Sequence, residues 1–156
     1  MEQTLVIIKP DAVQRQIVGR IISRLEDKGL KLAGMKMMQM DLPKAQQMYA
    51  EHEGKEFYSR LVKFMTVGPV VALVLEGLSA VAVTRAMIGP TFGPDAPAGT
   101  IRGDFGLSRR YNIIHASDCT AAAQREIPIF FRDDEIVRHS LANEKWIYDM
   151  NTGRAI

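Results

Sequence analysis

The stretch Asn112-Ile113-Ile114-His115-Ala116-Ser117-Asp118 decides the local fold, because it joins a strand to a helix. The β-branched residues near its start favour a pleated strand, which we predict over residues 112–114. Ser117 and Asp118 are good N-cap residues, and the helix-forming residues of 119–126 follow them directly. His115 is therefore expected at the junction where the strand ends and the helix begins.

The imidazole of His115 is a candidate nucleophile. A histidine with an ordinary pKa near 6.5 is mostly neutral at pH 7, so its lone pair is available. A lone histidine is more often a satisfied, half-buried structural residue, but Asn112, Ser117 and Glu126 can all reach toward this one. Glu126 lies on a helix that must fold back over the strand. We therefore expect its carboxylate to accept from Nδ1–H and to leave Nε2 as the nucleophile.

Any phosphate site in this chain must be built from side chains. The sequence contains neither a G-x-x-x-x-G-K-[ST] loop nor a G-x-G-x-x-G fingerprint. Four polar or cationic side chains stand beside Pro or Gly positions, where strands and helices end: Lys9, Arg85, Thr91 and Arg102. Each alone would be an ordinary surface residue, but together they are candidates for contacts with phosphate oxygens.

The composition is that of an ordinary globular chain. Of its 156 residues, 47% are hydrophobic and 24% are charged, and the net charge of +2 comes without a basic run. We expect a single domain over residues 1–156 in the cytoplasm, because the apolar run at 5–8 is too short for a signal peptide or a membrane span. The single cysteine, Cys119, excludes an internal disulfide and a cysteine-based zinc site. His52 and His139 lack evident partners and are expected at the surface.

Hydrophobic periodicity indicates strands that alternate with helices. Strands are predicted at residues 4–9, 30–40, 70–75 and 112–114. Helices are predicted at 10–28, 41–51, 55–65, 81–87, 119–126 (ended by Pro128) and 135–142. Between them lies a long Gly/Pro-rich loop, 89–103, of the kind that is usually functional. This order favours an α+β ferredoxin-like sandwich, with a four-stranded antiparallel sheet and helices packed on one of its faces.

The segment N-x-x-H-A-S-D resembles the N-x-x-H-G-S-D active-site signature of nucleoside diphosphate kinases. The resemblance extends over almost the whole chain, through LVIIKPD at 5–11 and GTIRGDF at 99–105. It implies that His115 is the phosphorylated histidine, supported by Ser117 and Glu126. The other positions that match the family pattern are a phosphate-binding lysine (Lys9), a tyrosine near the nucleophile (Tyr49), a base-stacking ring (Phe57), phosphate-loop contacts (Arg85, Thr91, Arg102) and a ribose contact (Asn112).

Some positions depart from the family pattern. Ala116 replaces the common glycine, so positive φ should not be needed there. Pro90, Phe92-Gly93 and Ala98 differ from the usual loop residues, and Arg109-Arg110-Tyr111 is bulkier than expected beside the base. These changes concern the stiffness of the loop and the rim of the nucleotide site.

The resemblance implies transfer of a γ-phosphoryl group from a nucleoside triphosphate to a nucleoside diphosphate, in two half-reactions through His115. ATP, GTP and other nucleotides, including deoxy forms, are the expected substrates. Mg²⁺ would be held mainly by their phosphates, because the sequence offers no clustered carboxylates. The resemblance also implies a homo-oligomer, a hexamer rather than a tetramer, with a C-terminal tail at about 143–156 that could reach a neighbouring subunit.

A ferredoxin-like binding module without turnover is the alternative. Tyr49 and Phe57 could stack on the bases of a nucleic acid or of a regulatory nucleotide. The few aromatic residues are scattered, however, and a binding module has no need of His115 with Glu126 behind it. The sequence favours the enzyme, and nucleic acid is not expected as its main partner.

Overall fold

A four-stranded antiparallel sheet forms the centre of the protein in a computed structural model that describes residues 1–149 and 154–155. Its strands are β1 (Glu2–Ile8), β2 (Lys31–Gln39), β3 (Pro69–Gly77) and β4 (Ile114–Ala116), in the order β2-β3-β1-β4. The run from Leu5 to Ile8 is fully buried, because it lies in a central strand with apolar layers on both faces.

Eight helices are described around the sheet in the part of the chain given above. They are α1 (Pro10–Gln14), α2 (Val18–Asp27), α3 (Leu42–Met48), α4 (Tyr58–Met65), α5 (Ala80–Ile88), α6 (Ile101–Phe105), α7 (Thr120–Phe130) and α8 (Glu144–Ile147). Local chemistry defines several of their ends. Pro10 opens α1 at a position that needs no N–H donor, and Asp41 caps α3 by accepting from the Lys44 backbone N–H at 2.9 Å.

Two apolar layers cover opposite faces of the sheet. Leu5 and Ile7 of β1 pack with buried residues of α3, α4 and α7, whereas Val6 and Ile8 pack with buried residues of α1, α2, α5 and α6. This division follows from the two-residue period of a strand. The predicted ferredoxin-like α+β class is confirmed, but the helices lie on both faces, and the expectation of one covered face is wrong.

Two helix predictions in the C-terminal part of the chain are wrong. Pro128 lies inside α7 and does not end it, since the carbonyl of Gln124, four residues earlier, belongs to an exposed residue that water can reach. The helix predicted at 135–142 is absent. A 3₁₀ turn at Asp133–Glu135 is followed by non-helical chain, and the Val137 N–H donates to the Ala33 carbonyl of β2 at 2.8 Å.

The strand predicted at 112–114 is shifted by two residues in the structure. β4 covers Ile114–Ala116, so His115 lies within the strand and not after it. The predicted start at 112 is wrong because Ile113 has φ +58, a left-handed conformation that a strand cannot contain. The cap of α7 is Cys119, whose Sγ accepts from the Ala122 N–H at 3.4 Å, and neither Ser117 nor Asp118 caps it.

The Gly/Pro-rich loop at 89–103 is held by its own chain. It contains a 3₁₀ turn at Gly93–Asp95 and the start of α6. Thr100 Oγ1 donates to the Pro97 carbonyl at 2.7 Å and accepts from the Gly103 N–H at 3.0 Å. A Cβ on Gly103 would lie 2.0 Å from the Pro97 oxygen, so glycine is required there. These contacts within the loop fix the backbone that leads into α6.

The C-terminal segment docks on its own chain as far as it is described. Two-residue strands β5 (Tyr148–Asp149) and β6 (Arg154–Ala155) pair with each other, and the Tyr148 hydroxyl donates to the Gly29 carbonyl at 2.6 Å. Residues 150–153 and 156 of the predicted tail lie outside the described residues. No helix among the residues described is long and apolar enough to span a membrane.

Candidate active site

His115 lies at the middle of β4, where it pairs with Ile7 of β1, and its side chain is 22% exposed. Nε2 of the ring lies 3.2 Å from Glu126 Oε2, so this nitrogen carries the proton that the carboxylate accepts. Nδ1 is then the ring nitrogen that keeps its lone pair. The expectation that Nδ1–H faces Glu126 and Nε2 is free is therefore wrong, because residue spacing does not reveal which edge of the ring faces α7.

The carboxylate of Glu126 is held from its other side by Ser117. The Ser117 hydroxyl donates to Glu126 Oε2 at 2.6 Å and accepts from the Leu5 N–H at 3.3 Å. Burial opposes the ionisation of Glu126, but the hydrogen bonds from His115 and Ser117 outweigh it, so the pKa of this carboxyl lies below its ordinary value. The imidazole is thus backed by a fixed negative charge that is 3% exposed.

Burial and nearby cations keep the imidazole neutral. Burial lowers the pKa of His115, Glu126 partly opposes this, and the charges of Lys9 and Arg102 lower the pKa further. The net pKa is below the ordinary histidine value, so the lone pair of Nδ1 is available at neutral pH.

The ring of Tyr49 lies edge-on to His115, with 6.1 Å between the ring centroids. Its hydroxyl is buried and has no hydrogen-bond partner among the residues that the structure describes. Burial, and then the charge of Glu126, raise the pKa of Tyr49, so the hydroxyl stays protonated. A buried donor without a partner beside a nucleophile can serve an acceptor that enters the site.

Lys9, Asn112 and Thr91 form one hydrogen-bonded line. Lys9 Nζ donates to Asn112 Oδ1 at 2.6 Å, and Asn112 Nδ2 donates to the Thr91 carbonyl at 3.0 Å. Burial and the nearby charge of Arg102 lower the pKa of Lys9 to about 8, although Asp11 acts in the opposite direction. The predicted lysine, amide and loop residue therefore meet at the end of β1.

Arg102 is buried and directs its guanidinium at the backbone around the site. Nε donates to the Asn112 carbonyl at 3.2 Å, one terminal nitrogen to Gly89 at 3.0 Å and the other to Ile114 at 2.7 Å. Burial and then Arg85 lower the pKa of Arg102 to about 10. Arg85 is half-buried and donates to the Ala116 carbonyl at 3.4 Å. The two arginines hold β4 and add positive charge beside it.

Phe57 stands at the rim and is 40% exposed. His52 connects it to the site, since the His52 ring lies 5.4 Å from the Phe57 centroid and stacks at 6.3 Å on Tyr49. His52 also has Nδ1 2.9 Å from Lys55 Nζ. The expectation that His52 is a surface residue without partners is wrong, whereas His139 is exposed as predicted.

The family model of nucleoside diphosphate kinase matches residues 2–136, which include each of the site residues described above. The chain belongs to the nucleoside diphosphate kinase family. It is accordingly a phosphotransferase.

Similar nucleoside diphosphate kinases cover almost the full chain. The one from Staphylococcus epidermidis is 52% identical over 149 residues, which are 96% of this chain and 100% of that protein. The one from Archaeoglobus fulgidus is also 52% identical over 149 residues, with 96% and 99% covered. A halophilic nucleoside diphosphate kinase structure from Halobacterium salinarum in complex with CDP has a TM-score of 0.93 and 47% identity, with 95% and 99% covered.

Two contributors to this kinase site, Asp11 and Ile113, are not evident from the sequence. Asp11 Oδ2 accepts the Ile113 backbone N–H at 3.1 Å, across 102 positions of sequence, and Ile113 has φ +58. From sequence alone, Asp11 is only a favourable acidic charge in the first turn of a helix. No local sequence signal indicates the positive φ of Ile113, because isoleucine favours the extended conformation of a strand. At the departure from the family glycine, Ala116, φ is not positive, as predicted.

Proposed function

We propose that this nucleoside diphosphate kinase transfers the γ-phosphoryl group between nucleotides through a phosphohistidine at Nδ1 of His115. The observation that carries the proposal is the pairing of Nε2–H with Glu126, which leaves Nδ1 as the nucleophilic nitrogen. Lys9, Arg85 and Arg102 supply positive charge for the group under transfer. Electrostatic stabilisation and positioning are the main sources of catalysis for phosphoryl transfer.

In the first half-reaction the Nδ1 lone pair attacks the γ-phosphorus of a nucleoside triphosphate. An N–P bond forms and the bond from phosphorus to the β–γ bridging oxygen breaks, so the nucleoside diphosphate leaves with that electron pair. The Nε2 proton stays in its hydrogen bond to Glu126, and the carboxylate balances the positive charge that develops on the ring. In the second half-reaction a terminal oxygen of another diphosphate attacks the phosphorus, and the N–P bond breaks to restore the imidazole.

We assign the nucleotide contacts as the sequence predicts. Phe57 stacks on the base, Asn112 contacts the ribose, and the phosphates meet the Lys9, Arg85, Thr91 and Arg102 positions. The CDP complex of the Halobacterium salinarum enzyme supports nucleotide binding in this family. Stacking on Phe57 tolerates any base because every base has a π-face. ATP, GTP, CTP, UTP and their deoxy forms are the proposed donors.

Mg²⁺ is proposed to arrive with the nucleotide as part of the substrate. Within the described residues, no group of three or more His, Cys, Asp or Glu side chains is arranged to hold a metal ion. The charged side chains that face the proposed phosphate positions are mainly cations, which suit phosphate oxygens and not a metal ion. Mg²⁺ typically keeps substrate phosphates and water as ligands, and this donor set is compatible with that mode.

We also propose one domain over residues 1–156, a cytoplasmic location and a hexamer in preference to a tetramer. Met35 and Met37 are 56% and 62% exposed on the edge strand β2, where apolar side chains and unpaired backbone groups favour association. Light scattering coupled to size exclusion measures the subunit number. A mass of about six times the 17.4 kDa chain supports the hexamer, and an active monomer refutes it.

Brief incubation with γ-labelled ATP tests the reaction. Label should appear on the protein in an acid-labile, alkali-stable form and should pass to added GDP. His115→Ala should lose both labelling and transfer, while His139→Ala, at an exposed histidine, should keep both. Labelling that survives His115→Ala would sink the proposal.

A further inference from the structure

Residues 112–114 form a strained three-residue turn directly before the nucleophile. The Ile114 N–H donates to the Asn112 carbonyl at 2.7 Å, and the central residue, Ile113, has φ +58. A γ-turn with positive φ is rare and strained, and a β-branched residue is among the least suited to it. Such a conformation persists only where the surroundings hold it.

The turn allows Asn112 and His115 to serve one site. Residues three apart in a continuous strand point to opposite faces of the sheet. In this chain Asn112 bonds to Lys9 Nζ, and the charge of Lys9 also acts on His115. Without the reversal at Ile113, the amide of Asn112 and the imidazole of His115 would diverge.

Three groups hold the backbone of the turn in place. The Lys9 backbone N–H donates to the Ile113 carbonyl at 2.9 Å, and Arg102 donates to the carbonyls on both sides. The Ile113 N–H is held by Asp11 Oδ2 at 3.1 Å. Asp11 Oδ1 is buried and has no hydrogen-bond partner among residues 1–149 and 154–155. The Asp11 carboxylate is therefore partly desolvated, and the hydrogen bond that it accepts there comes from the Ile113 N–H.

We propose that Asp11 is a positioning residue for phosphoryl transfer, because its carboxylate holds Ile113 in the left-handed conformation that brings Asn112 and His115 into one site. Asp11 acts through the backbone of Ile113. The inference rests on the proposed reaction at His115.

The first test compares Asp11→Ala and Asp11→Asn with Asp41→Ala. Asp41 is a matched control, because its carboxylate also accepts one backbone N–H, from Lys44, but at a helix cap without a strained turn. We measure the single-turnover rate constant for labelling by ATP, and hydrogen exchange of the Ile113 amide by NMR. Asp11→Ala should slow labelling by about 10- to 100-fold, as a misplaced reactive group does. It should also deprotect the Ile113 amide.

Asp11→Asn retains an acceptor oxygen and should keep most of the amide protection and most of the rate. Asp41→Ala should leave both readouts as in the unchanged protein. An Ile113 amide that Asp11→Ala leaves fully protected, or an Asp11→Ala rate equal to that of Asp41→Ala, overturns the inference. If the unchanged protein acquires no label on His115, the proposed function fails instead, and the Ile113 amide still reports on the turn.

A second test removes the strain. Glycine adopts positive φ without steric cost, so Ile113→Gly should make the turn less dependent on Asp11. Ile113 is fully buried, so Ile113→Gly lowers stability by itself. This loss is present both in Ile113→Gly and in the double variant Asp11→Ala/Ile113→Gly, so it cancels when the two are compared. The factor by which Asp11→Ala slows labelling should be at least about threefold smaller in the Ile113→Gly background than in the unchanged protein. An equal slowing in both backgrounds overturns the inference, and if Ile113→Gly does not fold, the amide exchange of Asp11→Ala decides.

Discussion

Replacing Glu126 by glutamine would remove the negative charge behind His115 and keep the shape of the side chain. In the structure one oxygen, Oε2, accepts from both His115 Nε2 and Ser117 Oγ. The amide oxygen of glutamine can take over both hydrogen bonds. The other oxygen, Oε1, lies 3.7 Å from the exposed Arg125, outside hydrogen-bond distance, so an amide nitrogen at that position breaks no hydrogen bond. The substitution therefore isolates the contribution of the charge.

The expected loss follows from the difference between two kinds of hydrogen bond. A hydrogen bond to a charged group contributes about 1.5–3 kcal/mol and a neutral one about 0.5–1.5 kcal/mol. Glu126→Gln should then cost about 1–1.5 kcal/mol in the transition state, where the ring gains positive charge, which is roughly a 5- to 12-fold slower phosphorylation of His115. Glu126→Ala removes the whole interaction and should slow it by roughly 10- to 150-fold.

Single-turnover labelling by ATP measures the rate, and calorimetry measures the affinity for ADP. Because the charge on the ring develops only during transfer, ADP affinity should stay nearly unchanged in both variants. Glu51→Gln is the matched control, since it removes an exposed carboxylate that pairs with the same Arg125 at 2.9 Å. If ADP binding weakens as much as turnover, the carboxylate supports the pocket and its assigned role is wrong.

Three groups of the site, Lys9, Tyr49 and Phe57, give four further predictions. Because burial and Arg102 lower the pKa of Lys9 to about 8, kcat/KM for ATP should fall as the pH rises through about 8, and Lys9→Arg should move that alkaline limb upward. The pKa of Lys9 is lower in the folded than in the unfolded chain, so between about pH 8 and the ordinary lysine pKa of 10.5 the unfolded chain binds more protons. The free energy of unfolding should therefore increase with pH in this range, as chemical denaturation can measure. Tyr49→Phe removes a buried hydroxyl without a described partner, so thermal unfolding should change little while labelling by ATP slows; a large loss of stability would contradict this. Phe57→Ala should weaken ATP and GTP binding alike, by about 1–3 kcal/mol in titration calorimetry, and a loss confined to one base would contradict base tolerance.

The fold could be predicted where apolar spacing alone determines burial. The unbroken apolar run at 5–8 and the isoleucines of α2 specify a central strand and the helix that covers it. The errors arose where a local rule depends on distant contacts. Pro128 is accommodated inside α7, and the chain after Glu135 leaves the helical conformation, with Val137 bonded to β2. Residue spacing contains neither fact.

The site could be predicted as far as side-chain chemistry identifies it. His115, Glu126, Lys9 and Asn112 were found from their types and from the family pattern, and the structure brings them together. The orientation of the imidazole and the role of Asp11 could not be found in this way. Both depend on which atoms face each other across 11 and 102 positions of sequence. Ile113 is the clearest case, because its propensity predicts strand and its neighbours impose a strained turn.

The cations of the site are arranged at an electrostatic cost that a nucleotide would relieve. In addition to burial, Arg102 lowers the pKa of Lys9 and Arg85 lowers that of Arg102, because these positive charges repel one another. In addition to burial, the charges of Lys9 and Arg102 lower the pKa of His115. The positive charge of the site therefore has two effects on the proposed reaction. Together with burial it keeps the nucleophile unprotonated, and it favours the negatively charged group that the nucleophile attacks. This coupling explains why the imidazole is placed beside cations, while its single carboxylate partner, Glu126, lies on the Nε2 side, away from the nitrogen that reacts.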